Sequence, residues 1–592
     1  MKNLEAMRRW GNFKKAQTIS WAFTYVAIGL AIIYENVEII RRLDLGYGLT
    51  DEAFSLSMAF ERFALGSDSH VWPFSIPLAP LAASSSGSIL IYRWFGYLIT
   101  LLVAFLWSFT VWVKTSWPSK NLRNAVAGLV FLVAMLIPST FSYLLATPTY
   151  QWTIQIALVL AATSLLQLRE PRSHKDGAGR WFWLASLSLA VVTAALSRPT
   201  GGALLLFVSL IAFYFMRLRV HATLFTLGTA AILLGAVWIL NPSLLMDYRL
   251  NIEWSTTLNP GGYSFLSEVW DVCKTLTIMG LLYALGLGLS WLRQKFNWGQ
   301  LVPQALFALL AALVAYGLAK LSLDFFATLF LVGIGYLAHS CGRLPKLGGV
   351  VISTLPVIIQ FGSAMDTIVT IPDNIFIGVF LLVFAEPVQT RKESGSPSWQ
   401  VPIALGLCAA VICGYLLWQS PNNFEKTSGL SAGTFNRQLD LKFSPAKSHA
   451  IDVWKANSVG FIKSGDFIAD LSFWHPGLIM YLNAWPLEQS PGDITYSGTI
   501  NEQTREFFRS AASAHKAKTH AFIIEIAKGS SGTMGVCNPL SDYLTNSKMR
   551  AGVPEPLNSS KVKVVSRYIS QPEDKTLFPK DAVLLVNCNV AK

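Results

Sequence analysis

Charge is what this chain has least of. Only 14% of its 592 residues are Asp, Glu, Lys or Arg, against roughly 25% in soluble globular domains, while 53% are hydrophobic. That deficit excludes an ordinary soluble protein and places the chain in the membrane class. Cysteine is scarce as well: of six, Cys273, Cys341, Cys408 and Cys413 fall in or near apolar stretches, and Cys537 and Cys588 lie in the polar tail. No Cys or His spacing matches a zinc site. There is no P-loop or dinucleotide fingerprint and no nucleophile elbow, which disfavours a cytoplasmic nucleotide-driven enzyme. The net charge of +13 is not gathered into a basic helix interleaved with aromatics, so nucleic acid is excluded as a partner.

What fills the chain instead is apolar sequence. A spanning helix needs about 20 mostly apolar residues. Thirteen candidate stretches lie near 17–37, 89–113, 124–145, 152–168, 181–197, 201–216, 222–241, 272–292, 301–319, 325–340, 348–365, 374–387 and 400–418. Several are short, so a total of 11 to 13 spans is expected. The first is too long for a cleaved signal peptide and reads as a retained anchor. Alternate ends of the stretches carry 20 and 8 Lys or Arg residues, the larger set beginning with Lys2, Arg8, Arg9, Lys14 and Lys15. The positive-inside rule then puts the N-terminus in the cytoplasm, and thirteen spans put the region from 420 outside.

The tail, 420–592, has a different character. Asp466-Phe-Ile-Ala-Asp-Leu-Ser, Ala521-Phe-Ile-Ile-Glu-Ile and Ala582-Val-Leu-Leu-Val-Asn read as short buried strands, and Glu502 to Ala517 as a helix. The expected architecture is a polytopic α-helical domain, 1–418, followed by a compact α/β domain. Cys537 and Cys588 could pair there or remain two buried thiols.

The connection 41–88 is long and carries Asp44, Asp51, Glu52, Glu61, Arg62, Asp68 and His70. Its middle, Thr50 to Leu65, has a helical pattern with Phe54, Met58 and Phe63 on one face, which suits a helix on the membrane surface. Two readings of Asp51-Glu52 follow. Acids in the first turn of a helix capped by Thr50 favour the helix dipole. Carboxylates at a membrane face are also costly and mark functional sites.

Asp51-Glu52-Ala-Phe, just after the first span, resembles the acidic motif of the GT-C membrane glycosyltransferases, among them the protein O-mannosyltransferase and aminoarabinose transferase relatives. Leu196-Ser-Arg-Pro-Thr-Gly-Gly and Ala469-Asp-Leu-Ser-Phe-Trp-His-Pro-Gly are similar to further stretches of such chains. The resemblance implies transfer of a sugar from a polyprenyl-phosphate donor to a lipid, glycan or protein acceptor, in a bacterial inner membrane. It implies catalysis by Asp51 with Glu52 beside it, and binding of substrate by Arg198, Arg249, Arg62 and His70. Guanidinium groups match phosphate geometry, although Arg249 has Asp247 and Glu253 as nearby alternatives. Some members use a divalent metal, magnesium or manganese, which Asp51 would hold here. Where many bacterial relatives carry a second acidic motif, this chain has Thr147-Pro-Thr-Tyr-Gln-Trp. That departure counts against a two-carboxylate mechanism and against metal binding. His475 reads as a turn residue.

Two other classes compete. An O-antigen polymerase or ligase has a similar number of spans but places its long loop between late ones. A lipid or solute transporter would be expected to show two similar halves, and 17–210 does not resemble 222–418.

Overall fold

The computed structural model describes residues 2–46, 51–65, 72–114 and 119–135, most of 139–249, and the helix Phe265–Lys295. Beyond that it describes short segments at 343–345, 387–389 and 434–436, residues 405, 406 and 409, most of 441–486 apart from 471–475, and three strands between 521 and 587. The expected spans between 301 and 387 therefore lie outside the described residues, as do the helix 502–517, His70, His475, Cys537 and Cys588.

The membrane part is helical: α1 (Lys2–Leu43), α2 (Asp51–Leu65), α3 (Ser75–Ser84), α4 (Ile89–Lys114), α5 (Lys120–Met135), α6 (Tyr150–Leu168), α7 (Gly177–Ser197), α8 (Pro199–Phe215) and α9 (Val220–Leu240). Among the described residues five segments are long and apolar enough to cross a membrane: Lys15–Leu43, Ile89–Lys114, Tyr150–Leu168, Gly179–Ser197 and Val220–Leu240. The chain is an integral membrane protein. Helix α1 shows why such a helix is stable in lipid: its backbone bonds are internal, and its apolar residues divide between two surroundings. Trp21, Ile28, Ala31 and Ile39 are buried at helical spacing, while Val26, Leu30 and Ile33 point outward. Helix α5 is different. Leu122 through Met135 are mostly buried on all sides, so it lies inside the bundle against α1 and α4.

Helix α2 departs from expectation. It is helical as the pattern indicates, but it is enclosed by protein rather than amphipathic: every residue from Glu52 to Arg62 is buried, and Phe63, expected on one apolar face with Phe54 and Met58, is 44% exposed. The reason is that its polar face finds polar partners inside the protein, as the site below shows. The break between α7 and α8 is made locally. Arg198 is extended (φ −150°, ψ 120°), as a residue before proline prefers, and Pro199 opens α8, where its missing N–H is not needed. Gly202 sits so close to Ala195 that a Cβ there would overlap its backbone.

The C-terminal region contains a five-stranded sheet in the order β10-β11-β9-β7-β8, built from β7 (Phe467–Asp470), β8 (Trp485–Pro486), β9 (Ala521–Ile526), β10 (Lys563–Ile569) and β11 (Ala582–Asn587). Strands β10, β11 and β9 pair antiparallel, and β7 pairs parallel with both β9 and β8. Smaller two-stranded ribbons join β1 (Ser139–Thr140) to β2 (Tyr143–Leu144), β3 (Arg343–Pro345) to β4 (Pro387–Gln389), and β5 (Thr434–Asn436) to β6 (Leu441–Phe443). A helix at Pro445–Ser458 begins on Ser444, whose side chain accepts from the Lys447 N–H. Leu441, Phe443, Leu478 and Ile479 share one core with Ala53, Leu56 and Met58 of α2. The C-terminal region is thus packed onto the first connection of the membrane domain.

One packing contact yields a prediction. Gly96 of α4 faces Pro148 so closely that a Cβ would overlap the proline ring. Tyr92 O–H donates to the Pro148 carbonyl at 3.0 Å and keeps that residue in place. Gly96→Ala is expected to destabilise the protein by about 1–3 kcal/mol through overpacking. An unchanged melting temperature in detergent would show that Pro148 yields freely.

Candidate functional site

The site forms where four segments meet at one end of the bundle: the last turn of α1, the start of α2, the start of α4, and the turn before α6. Its centre is Arg93, in the second turn of α4. The side chain is 1% exposed. Its Nη2 pairs with Glu52 Oε1 at 2.9 Å and reaches the Gly46 carbonyl at 3.3 Å. Its Nη1 donates to the carbonyls of Leu43, at 3.0 Å, and Leu45, and its Nε donates to Thr147 Oγ1 at 2.8 Å. Thr147 in turn donates to Glu52 Oε1. All three guanidinium nitrogens therefore have partners in this cluster.

This arrangement gives Thr147 a role. The threonine hydroxyl bridges Arg93 and Glu52. A second carboxylate there would add another negative charge beside a single guanidinium. Oε1 of Glu52 is thus engaged by both Arg93 and Thr147. Among the described residues no three His, Cys, Asp or Glu side chains converge. Asp51 opens α2, and its side chain lies outside the described residues.

Arg62 is buried as well. Its Nε donates to Ser75 Oγ at 3.1 Å and its Nη2 pairs with Asp247 Oδ2 at 3.4 Å, while Ser243 Oγ donates to that carboxylate oxygen at 3.1 Å. Burial lowers the Arg62 pKa below its ordinary value, with Asp247 acting in the opposite direction. The residue therefore ties α2 to α3 and to the segment after α9. Arg249 is exposed and makes no ion pair among the described residues. Tyr248 donates from its hydroxyl to the Ala195 carbonyl at 2.8 Å, and burial raises its pKa.

Arg198 differs from the other two arginines. It is half-buried at the α7–α8 break, with its guanidinium carbon 5.1 Å from the centroid of Tyr150. Its Nη1 is buried and has no hydrogen-bond partner among the described residues. A series of rings connects it to α2: Tyr150 lies 5.4 Å from Phe74, and Phe74 lies 5.7 Å from Phe54. The cationic break and the acidic helix therefore belong to one neighbourhood. Two further charges on α1 are buried. Glu35 has no hydrogen bond on either oxygen among the described residues, and Arg42 pairs with Glu38 at 3.7 Å. Charged residues inside an otherwise apolar span are the signal in the sequence that marks them.

No family model matches the sequence, and no curated protein matches it. Among the solved structures that resemble the chain weakly are two of ArnT from Cupriavidus metallidurans. The apo form is 11% identical, with 95% of this chain and 98% of that chain covered, at a TM-score of 0.37. The form bound to undecaprenyl phosphate is 12% identical over the same shares, at a TM-score of 0.41. At these values the likeness carries no argument, and the functional reading rests on the residues themselves.

Proposed function

We propose that this chain is a membrane glycosyltransferase of the GT-C kind, moving a sugar from a polyprenyl-phosphate donor to an acceptor at the outer face of the membrane. The observation that carries the reading is the acidic start of α2, held at the end of the first span by Arg93, with the buried Nη1 of Arg198, which has no hydrogen-bond partner among the described residues, in the same neighbourhood. In this reading Asp51 is the base. It takes the proton of the acceptor hydroxyl as that oxygen attacks the anomeric carbon. The bond from that carbon to the phosphate oxygen breaks, its electron pair leaves with the polyprenyl phosphate, and Arg198 balances the charge that develops. A direct displacement of this type inverts the anomeric centre. Glu52 and Arg93 fix the backbone from which Asp51 acts. The acceptor is a lipid, glycan or protein bearing a free hydroxyl or amine.

The test is direct. Purified protein in nanodiscs, supplied with a panel of polyprenyl-phosphate sugars and cell-envelope extract, is expected to release polyprenyl phosphate and produce a glycosylated acceptor by mass spectrometry. Failure to consume any donor in the panel would count against the assignment.

Arg198 supplies a more specific check. Arg198→Ala is expected to raise the donor KM, with Arg198→Lys restoring part of the loss as a point charge without the bidentate fork. Were Arg198 only an anchor for the helix end, both variants would lower the melting temperature and leave KM unchanged.

The orientation belongs to the same proposal. With the N-terminus in the cytoplasm, alkaline phosphatase fused after Lys592 is expected to be active. The pairing of 44–46 with Lys442 supports placing the tail on the side of the first connection. Activity only of a cytoplasmic reporter at that position would reverse the placement.

A further inference from the structure

We propose that Lys442 is a positioning residue: strand β6 of the C-terminal region fastens the α1–α2 connection, and through it the cradle that holds Arg93 and Glu52. This inference rests on the function proposed above for that cradle. Three contacts make the fastening. The Lys442 N–H donates to the Asp44 carbonyl at 2.6 Å, and the Gly46 N–H donates to the Lys442 carbonyl at 2.8 Å. Leu45 and Lys442 thereby form a parallel bridge. The Lys442 ammonium also pairs with the Asp44 carboxylate.

The residues so fastened are the ones that shape the site. Leu45 and Gly46 present their carbonyls to Arg93, and Arg93 holds Glu52 in the first turn of α2. Without β6 the connection would have one end on α1 and the other on α2, with backbone groups of Asp44 and Gly46 unpaired. An Arg93 that loses its carbonyl acceptors also loses the geometry in which it meets Glu52. A second contact from the same region acts on the other side of the connection. The short helix Pro476–Met480 packs against α2, with Leu478 and Ile479 buried in the shared core. The C-terminal region therefore grips both the approach to α2 and α2 itself, and the catalytic loop is complete only with that region docked.

The side-chain pair is partly exposed, so Lys442→Met is expected to lower turnover by at most about fivefold. The backbone bond is the stronger test. Gly46→Pro removes the donor to Lys442, whereas Gly46→Ala keeps it. In full-length protein in nanodiscs, amide exchange in peptides covering residues 43–52 is expected to rise tenfold or more, as an order of magnitude, for Gly46→Pro relative to Gly46→Ala. In the same comparison kcat is expected to fall roughly 10–100-fold with donor KM unchanged. Unchanged exchange would overturn the fastening. Raised exchange with unchanged kcat would overturn the positioning role. If the wild type uses no polyprenyl-phosphate sugar at all, the proposed function fails, and the fastening is decided by exchange alone.

Discussion

Arg93→Met is expected to have the largest effect on stability of any single substitution in the membrane domain, about 3–5 kcal/mol, because it leaves Glu52 as an uncompensated buried charge. It also removes the donor to three backbone carbonyls at the end of α1. The diagnostic comparison is with the double variant Arg93→Met/Glu52→Gln. Removing both charges should recover part of the loss, since a buried pair costs less to delete than to break. Denaturant titration or thermal melting in one detergent reads both. A double variant no more stable than Arg93→Met would show that Arg93 acts through the carbonyls and Thr147, and that Glu52 is incidental.

The largest effect on activity is expected at Asp51. Asp51→Asn should reduce sugar transfer by roughly 10²-fold or more, the scale of losing a general base, while leaving the melting temperature close to wild type. Glu52→Gln should behave in the opposite proportion. Its carboxylate is buried on Arg93 and Thr147, so the substitution should lower stability first and turnover as a consequence. Wild-type transfer rates in purified Asp51→Asn would end its assignment as the base. A larger kcat loss in Glu52→Gln than in Asp51→Asn, at equal stability, would move the chemistry to Glu52.

The sequence made the helices legible and left their partners hidden. The stretches expected at 17–37, 89–113, 152–168 and 181–197 each fall within a helix long enough to span, and 222–241 overruns such a helix by one residue, whereas the helix in 124–145 ends at Met135 and gives way to the β1–β2 ribbon. Length and hydropathy are local properties, and local reading suffices for them. Whether α2 lies on a surface or inside depends on groups far along the chain. Arg93 is 41 residues from Glu52, and Asp247 is 185 from Arg62. No periodicity within residues 51–65 announces either pair. The same limit applies in the tail. Strands β7, β9 and β11 are apolar runs and were readable, whereas β10 carries Lys563 and Arg567, charges that suit the edge position it occupies. The helix Pro445–Ser458 has a local signature, Ser444 followed by Pro445, but too little apolar sequence to draw notice.

Arg93 also performs a task usually left to residues within a helix. The carbonyls of the last turn have no partners inside their own helix, and here the Leu43 carbonyl at the end of α1 is satisfied by a cation from α4. The end of the first span is therefore joined rigidly to the acidic cluster. The helical segment from Lys15 to Leu43 is about 43 Å long at 1.5 Å per residue, more than the roughly 30 Å of a bilayer core, and the excess is polar: the apolar stretch 17–37 is followed by Glu38, Arg41 and Arg42. It is this polar end that Arg93 ties to Glu52. A displacement of the first helix along its own axis is therefore carried to that carboxylate through a single guanidinium.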